Sequence, residues 1–174
     1  MNETTRVVLV VESHWGNTAE VAQRMVRGLE RAAPGIRVAR VGPGEAPESV
    51  EPGTLLLVGG PTHAFSMSRE GTRDDARQRG ATSPEGPGIR DWIERSHPVE
   101  GVEVRTFDTR VRHFPGSAAR SAAKALHRQG WRTVRAGESF FVTGQEGPLA
   151  VGELGRAERW GADLAALLPA GQRP

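Results

Sequence analysis

The sequence predicts an α/β fold, a three-layer doubly wound sheet of five parallel strands in the order 2-1-3-4-5. Three observations carry this expectation. The aliphatic runs Val7–Val11 and Leu55–Val58 lack the alternation of a half-exposed strand, so they read as strands buried on both faces. Such runs alternate along the chain with stretches whose apolar residues recur every three or four positions, the period of a helix with one buried stripe. Two alternating periods call for a parallel sheet covered by helices on both faces. The length of 174 residues suits one domain, placed at 1–168 with a short tail at 169–174.

Each element follows from local chemistry. Arg6–Glu12 is the first strand. A helix follows from Thr18 to Ala32, with Val21, Ala22, Met25, Val26 and Leu29 inward, and Ala33-Pro34-Gly35 stops it. Ile36–Val41 is the second strand. Gly42–Gly53 is rich in proline and glycine and leaves room for one short helical turn at most, near Pro47–Val50. Thr54–Gly60 is the third strand. In the long connection Ser68–Gly88, Thr72 reads as the cap of a short helix. Ile89, Trp92 and Ile93 mark another helix. Val102–Asp108 is the fourth strand, Ser117–Gln129 an alanine-rich helix, and Glu138–Thr143 the fifth strand. The last helix shows Leu154, Ala157, Gly161, Leu164 and Leu168, and Pro169 ends it.

Composition excludes several classes. There is no cysteine, hence no disulfide, thiolate chemistry or cysteine-bound metal. The five histidines show no ligand-like spacing, and no metal is expected. No apolar run approaches the ~20 residues of a membrane span. With no signal pattern at its start, the chain reads as cytoplasmic. The pI of about 10.2 invites a nucleic-acid reading, but the net charge is only +2. With neither tyrosine nor cysteine, and with arginine nearly replacing lysine, little titrates above neutrality, so a small surplus persists to high pH. No nucleic-acid partner is expected. The charge is uneven: Arg105–Arg135 carries +7 and the rest −5. Arg120, Lys124 and Arg128 recur every four residues along one helix face, a solvated face or a docking stripe.

In a doubly wound sheet, ligands sit at the carboxyl ends of the strands beside the switch point. The loops after the first, third and fourth strands are therefore the ones that carry chemistry. The first, Ser13-His14-Trp15-Gly16-Asn17-Thr18, places hydroxyls, an amide and a glycine at a helix N-terminus. Unpaired backbone N–H groups and the helix dipole favour a phosphate there. Lacking Lys and Arg, the loop suits a monophosphate held by neutral donors rather than a triphosphate. The same residues also suit an ordinary N-cap cluster.

SHWGNT after the first strand and GGPTHAF after the third resemble the flavodoxin superfamily, and Phe140–Gly161 is similar to a bacterial flavodoxin-like subgroup without an assigned reaction. The resemblance covers nearly the whole chain. It implies a flavodoxin-like fold that binds FMN noncovalently. Ser13, His14, Trp15, Gly16, Asn17 and Thr18 would hold the phosphate. Pro61, Thr62, His63, Ala64 and Phe65 would hold the ring, with Asp108, Thr109, Arg110, His113 and Phe114 approaching from the other side. The family's stacking tyrosine is missing, which leaves Trp15, His63, Phe65 or Phe114 to stack on the flavin.

His63 reads either as a proton donor near flavin N5 or as a hydrogen-bonding loop residue. Arg69 and Arg73 read as ligands for an anionic substrate or a dinucleotide phosphate. Asp74, Asp75 and Arg77 read as a solvated, salt-bridged segment. The expected role is electron transfer or a small two-electron flavin reductase, such as an NAD(P)H-dependent quinone reductase. Having no glycine between Pro61 and Arg69, where a carrier has a flipping peptide, leans toward the enzyme. The expected partners are FMN and either an acidic redox protein or NAD(P)H, with the chain a monomer or homodimer. The alternative from another class is a flavin-free interaction module with an arginine-rich docking face.

Overall fold

The computed structural model describes residues 7–83 and 85–169. Arg6, expected to open the first strand, and residues 170–174 of the expected tail lie outside them. Val7–Val11 forms β1, Val38–Val41 β2, Leu55–Pro61 β3, Glu103–Val111 β4 and Val134–Val142 β5. All pair in parallel in the order β2-β1-β3-β4-β5, as the sequence predicts. The switch point therefore lies between β1 and β3.

The helices are α1 (Asn17–Ala32), α2 (Glu70–Gln78), α3 (Ile89–Arg95), α4 (Ala118–Gln129) and α5 (Glu153–Leu164), with a 3-10 turn at Ala165–Leu167. Side chains of β1 alternate between two cores. Val7 and Leu9 join Val21, Met25 and Leu29 of α1 and Ala157 and Leu164 of α5. Val8 and Val10 join Trp92 and Ile93 of α3 and Ala122 and Leu126 of α4. Both faces are dry, so every position of the strand is aliphatic.

Four details refine or correct the expectations. No helical turn forms at Pro47–Val50; the chain turns at Gly42, whose carbonyl accepts from Glu45 N and Ala46 N. Carbonyls of this connection are taken instead by α3 and the residues after it, with Trp92 Nε1 donating to Pro47 O (3.0 Å), Arg95 to Pro43 O (2.9 Å) and His97 N to Glu48 O (2.6 Å). Second, α2 starts at Glu70, and Thr72 is its third residue; Thr72 Oγ1 accepts from Arg69 N (2.9 Å). Third, β4 runs past Asp108 to Val111, because Thr109, Arg110 and Val111 still pair with Phe140, Phe141 and Val142. Fourth, β5 begins at Val134, where pairing to Val104 extends the ladder through polar residues. Trp92 and Trp131 are buried, and Trp160 packs beside Phe107 and Phe140, as core residues.

Candidate functional site

The loop after β1 opens α1 through Gly16, whose φ of 88° is a left-handed conformation that a residue with a Cβ rarely adopts. Ser13 Oγ accepts from Ala19 N (3.2 Å), so one of the four orphan N–H groups of the helix start is capped by Ser13. Thr18 is buried and shares a hydrogen bond with Thr109 Oγ1 of β4 (2.8 Å). Asn17 Nδ2 donates to Glu146 O (3.1 Å), which ties the loop to the β5–α5 connection. Trp15, Asn17 and Thr18 line a small cavity of about 40 Å³ with Pro61, Thr62, His63, Thr109 and Arg110. Two of these lining residues, Trp15 and Arg110, carry buried donors, Nε1 and Nε, without an acceptor among the described residues. An orphaned donor costs about 1–3 kcal/mol, so two at one cavity fit an anionic group. The cation that the first loop lacks in sequence arrives from β4 as Arg110.

The loop after β3 is a tight turn. His63 and Ser66 exchange backbone hydrogen bonds (2.8 and 3.0 Å), and the two residues between them carry positive φ, 44° at Ala64 and 72° at Phe65. A two-residue turn of this kind ordinarily takes Asn-Gly. With Ala-Phe, the backbone is strained and the Phe65 ring is held out, 64% exposed. Gly116 permits this placement: a Cβ there would lie 2.2 Å from Phe65 O.

Across the gap, Phe114 is 65% exposed on the loop after β4. Phe65 and Phe114 wall a cavity of about 320 Å³ together with Thr62, Ala64, Arg110, Thr143 and Gln145. It shares Thr62, Arg110, Val111 and Gln145 with the smaller cavity. Arg110 is steadied over the Phe141 ring (5.2 Å) and donates to Phe114 O (3.3 Å). Asp108 and His113 line neither cavity. Asp108 is fully buried, its Oδ2 accepting from Thr62 Oγ1 (3.3 Å), Ser117 Oγ (2.5 Å) and Ala119 N (3.0 Å). It fixes the start of α4 and the hydroxyl of Thr62. His113 is exposed. Thr143, Gly144 and Gln145 escaped sequence reasoning because the loop after the fifth strand was not weighed, although every carboxyl end of the sheet qualifies.

Behind the first loop lies a buried polar network. Glu12 is buried and accepts from His14 Nε2 (2.8 Å), Ile89 N (2.9 Å) and the Ser68 hydroxyl. Burial pushes its carboxyl up, but the hydrogen bonds from His14, Ser68 and Ile89 outweigh that and hold it below its ordinary 4.5. Arg73 is also buried; it donates to Ser68 Oγ (3.1 Å) and Asp91 Oδ2 (3.0 Å), so it serves the fold rather than an anionic ligand. Asp74 and Arg77 form an ion pair on α2. The His63 ring lies 4.9 Å from that of His14. Burial and the neighbouring His14 push its pKa down to about 4.

No protein-family model matches the chain. No curated protein sequence matches it either. Solved structures do. The chain is similar to a flavodoxin from the domain Archaea, at 16% identity over 92% of this chain and 96% of that one, with a TM-score of 0.58. It is similar to oxidised Flavodoxin 1 from Bacillus cereus, at 13% identity over 94% and 99%, with a TM-score of 0.62. A flavodiiron protein from Giardia intestinalis matches at 12% identity over 92% of this chain but 35% of its own, with a TM-score of 0.52. Sheet order, element sequence and these superpositions agree: the chain has a flavodoxin-like fold.

Proposed function

We propose that this chain binds FMN noncovalently at the carboxyl edge of its sheet and acts as a redox protein. The observation that carries the reading is the cavity of about 320 Å³ between two exposed phenylalanines, Phe65 and Phe114, which shares lining residues with a smaller one whose Trp15 and Arg110 carry unpaired buried donors. A flavin is flat and apolar at one end and anionic at the other, and the residues fit both ends. Phe65 and Phe114 would cover the ring and exclude water. Trp15, Asn17, Thr18 and Arg110 would hold the phosphate, supplying the acceptor that Trp15 Nε1 and Arg110 Nε lack. The flavin, when bound, supplies the electron-transfer chemistry.

His63 is neutral at pH 7, so it would act there as a fixed hydrogen-bonding ring rather than as an acid. The turn at Ala64–Phe65 is closed by two backbone hydrogen bonds and has no glycine. That supports two-electron chemistry over one-electron carriage with a flipping peptide; NAD(P)H as donor and a quinone as acceptor belong to the same proposal. The exposed stripe Arg120, Lys124 and Arg128 suits an acidic redox partner.

The test is direct. Purified protein should be yellow, release FMN on denaturation and quench the fluorescence of added FMN. Colourless protein that leaves FMN fluorescence unchanged overturns the reading and favours a flavin-free docking module.

A further inference from the structure

A second cavity, of about 340 Å³, opens on the β2 side of the first loop. It is lined by Glu12, Ser13, His14, Arg40, Glu45, Arg73 and Ser83, among others. Three of these form a chain of hydrogen bonds: Ser83 Oγ to His14 Nδ1 (2.8 Å), and His14 Nε2 to Glu12 Oε1 (2.8 Å). Residues 69 positions apart in sequence meet here because Thr82 N also donates to His14 O (3.1 Å), which fastens the loop before α3 over the imidazole.

From this geometry we infer that Ser83, His14 and Glu12 form a nucleophile–base–acid triad that hydrolyses small polar esters. The inference does not rest on flavin binding, although His14 also lines the small cavity beside Trp15 and Thr18.

The tautomer follows from the partners. Glu12 is an ionised carboxylate and only accepts, so when the imidazole is neutral its proton sits on Nε2. Nδ1 is left as the acceptor, and the Ser83 hydroxyl donates to it. Glu12 is itself fixed by Ser68 and Ile89 N, so it orients the imidazole and stabilises its protonated form. Gly88 lets the chain pass close by, since a Cβ there would lie 2.8 Å from Glu12 Oε2. The nucleophile is half-buried and the base is buried, the arrangement of an activated hydroxyl at a cavity wall.

The step balances without a cofactor. Ser83 Oγ attacks the ester carbonyl, forming an O–C bond while its proton passes to His14 Nδ1. The tetrahedral adduct, in the cavity that Arg40 also lines, collapses. The ester C–O bond breaks, and the departing alcohol takes the proton from Nδ1. Water, deprotonated by the same nitrogen, then cleaves the acyl-serine to a carboxylic acid and restores Ser83.

Two measurements test this on the full chain. A fluorophosphonate probe is expected to add one adduct, mapped to the peptide bearing Ser83. p-Nitrophenyl acetate hydrolysis is expected to fall about 100-fold or more in Ser83→Ala, with FMN uptake unchanged. An adduct elsewhere, no adduct, or an unchanged hydrolysis rate overturns the triad. Because the chain has no cysteine, Ser83→Cys carries a single thiol. Paired with His14, that thiol should react with iodoacetamide at pH 6.5 at least about tenfold faster than the thiol of Val151→Cys, a fully exposed control. Equal rates would show that His14 is no base for residue 83 and overturn the proposal whatever the substrate.

Discussion

The two sides of the first loop are built in opposite ways. On the β2 side, Glu12, His14, Ser68 and Arg73 are buried, and hydrogen bonds link them into one network. On the β4 side, Phe65 and Phe114 stand exposed around a cavity, and Trp15 Nε1 and Arg110 Nε have no acceptor among the described residues. The first side spends its polar groups on internal order. The second leaves apolar area and donors unspent, the condition of a surface that gains most from a ligand. A closed network positions the loop; an incomplete one is what a cofactor would complete.

The contrast can be broken from either side. Glu12→Ala should have the largest effect. It strands the donors of His14, Ser68 and Ile89 in the interior and should destabilise the fold by about 3–5 kcal/mol in urea unfolding, the sum of several buried donors left unpaired at roughly 1–3 kcal/mol each. A loss under ~1 kcal/mol would mean that the network does not hold the loop.

Acidification should come next. His63 has a folded pKa of about 4, below its ordinary 6.5. Between those values the unfolded chain binds more protons, so the neutral ring's contribution is complete above pH 6.5 and falls away toward pH 4, by about 2–3 kcal/mol. Glu12, held below 4.5, adds a loss at still lower pH. Unfolding followed from pH 7 to 4.5 should show the slope, and His63→Gln should flatten it.

On the open side, Phe65→Ala and Phe114→Ala should each weaken FMN binding roughly 2- to 10-fold, the scale of one aromatic contact. Because both rings are exposed, stability should change by less than about 0.5 kcal/mol. Stability loss without affinity loss would reverse the roles assigned to the two sides. The smallest effect is expected at Ala64, where φ is 44°. Ala64→Gly should relieve left-handed strain and raise stability by about 1 kcal/mol, or roughly 2–4 °C in Tm. A lower Tm would show that the turn carries no such strain.

Much of the fold was legible because burial on both faces leaves a local trace. Val7–Val11 and Leu55–Val58 could only be interior strands, and the spacing of Val21, Met25 and Leu29 could only cover one of them. The absence of tyrosine limited the stacking groups to a few residues, of which Phe65 and Phe114 now wall the larger cavity. The end of β4 was not legible. Thr109 and Arg110 look like loop residues, and only pairing with β5 keeps them extended. Arg73 likewise looks like a surface arginine until Asp91 and Ser68 close around it.

The sequence by itself determined the alternation of buried strands and amphipathic helices, the loops that join them and the lack of any thiol chemistry, because periodicity and composition are properties of the local chain. Only the tertiary structure decided which residues meet. It brought Arg110 to a first loop that has no cation, set Phe114 opposite Phe65, and placed Ser83 on His14. Those contacts join residues far apart in sequence, and no local pattern encodes a distance across the sheet.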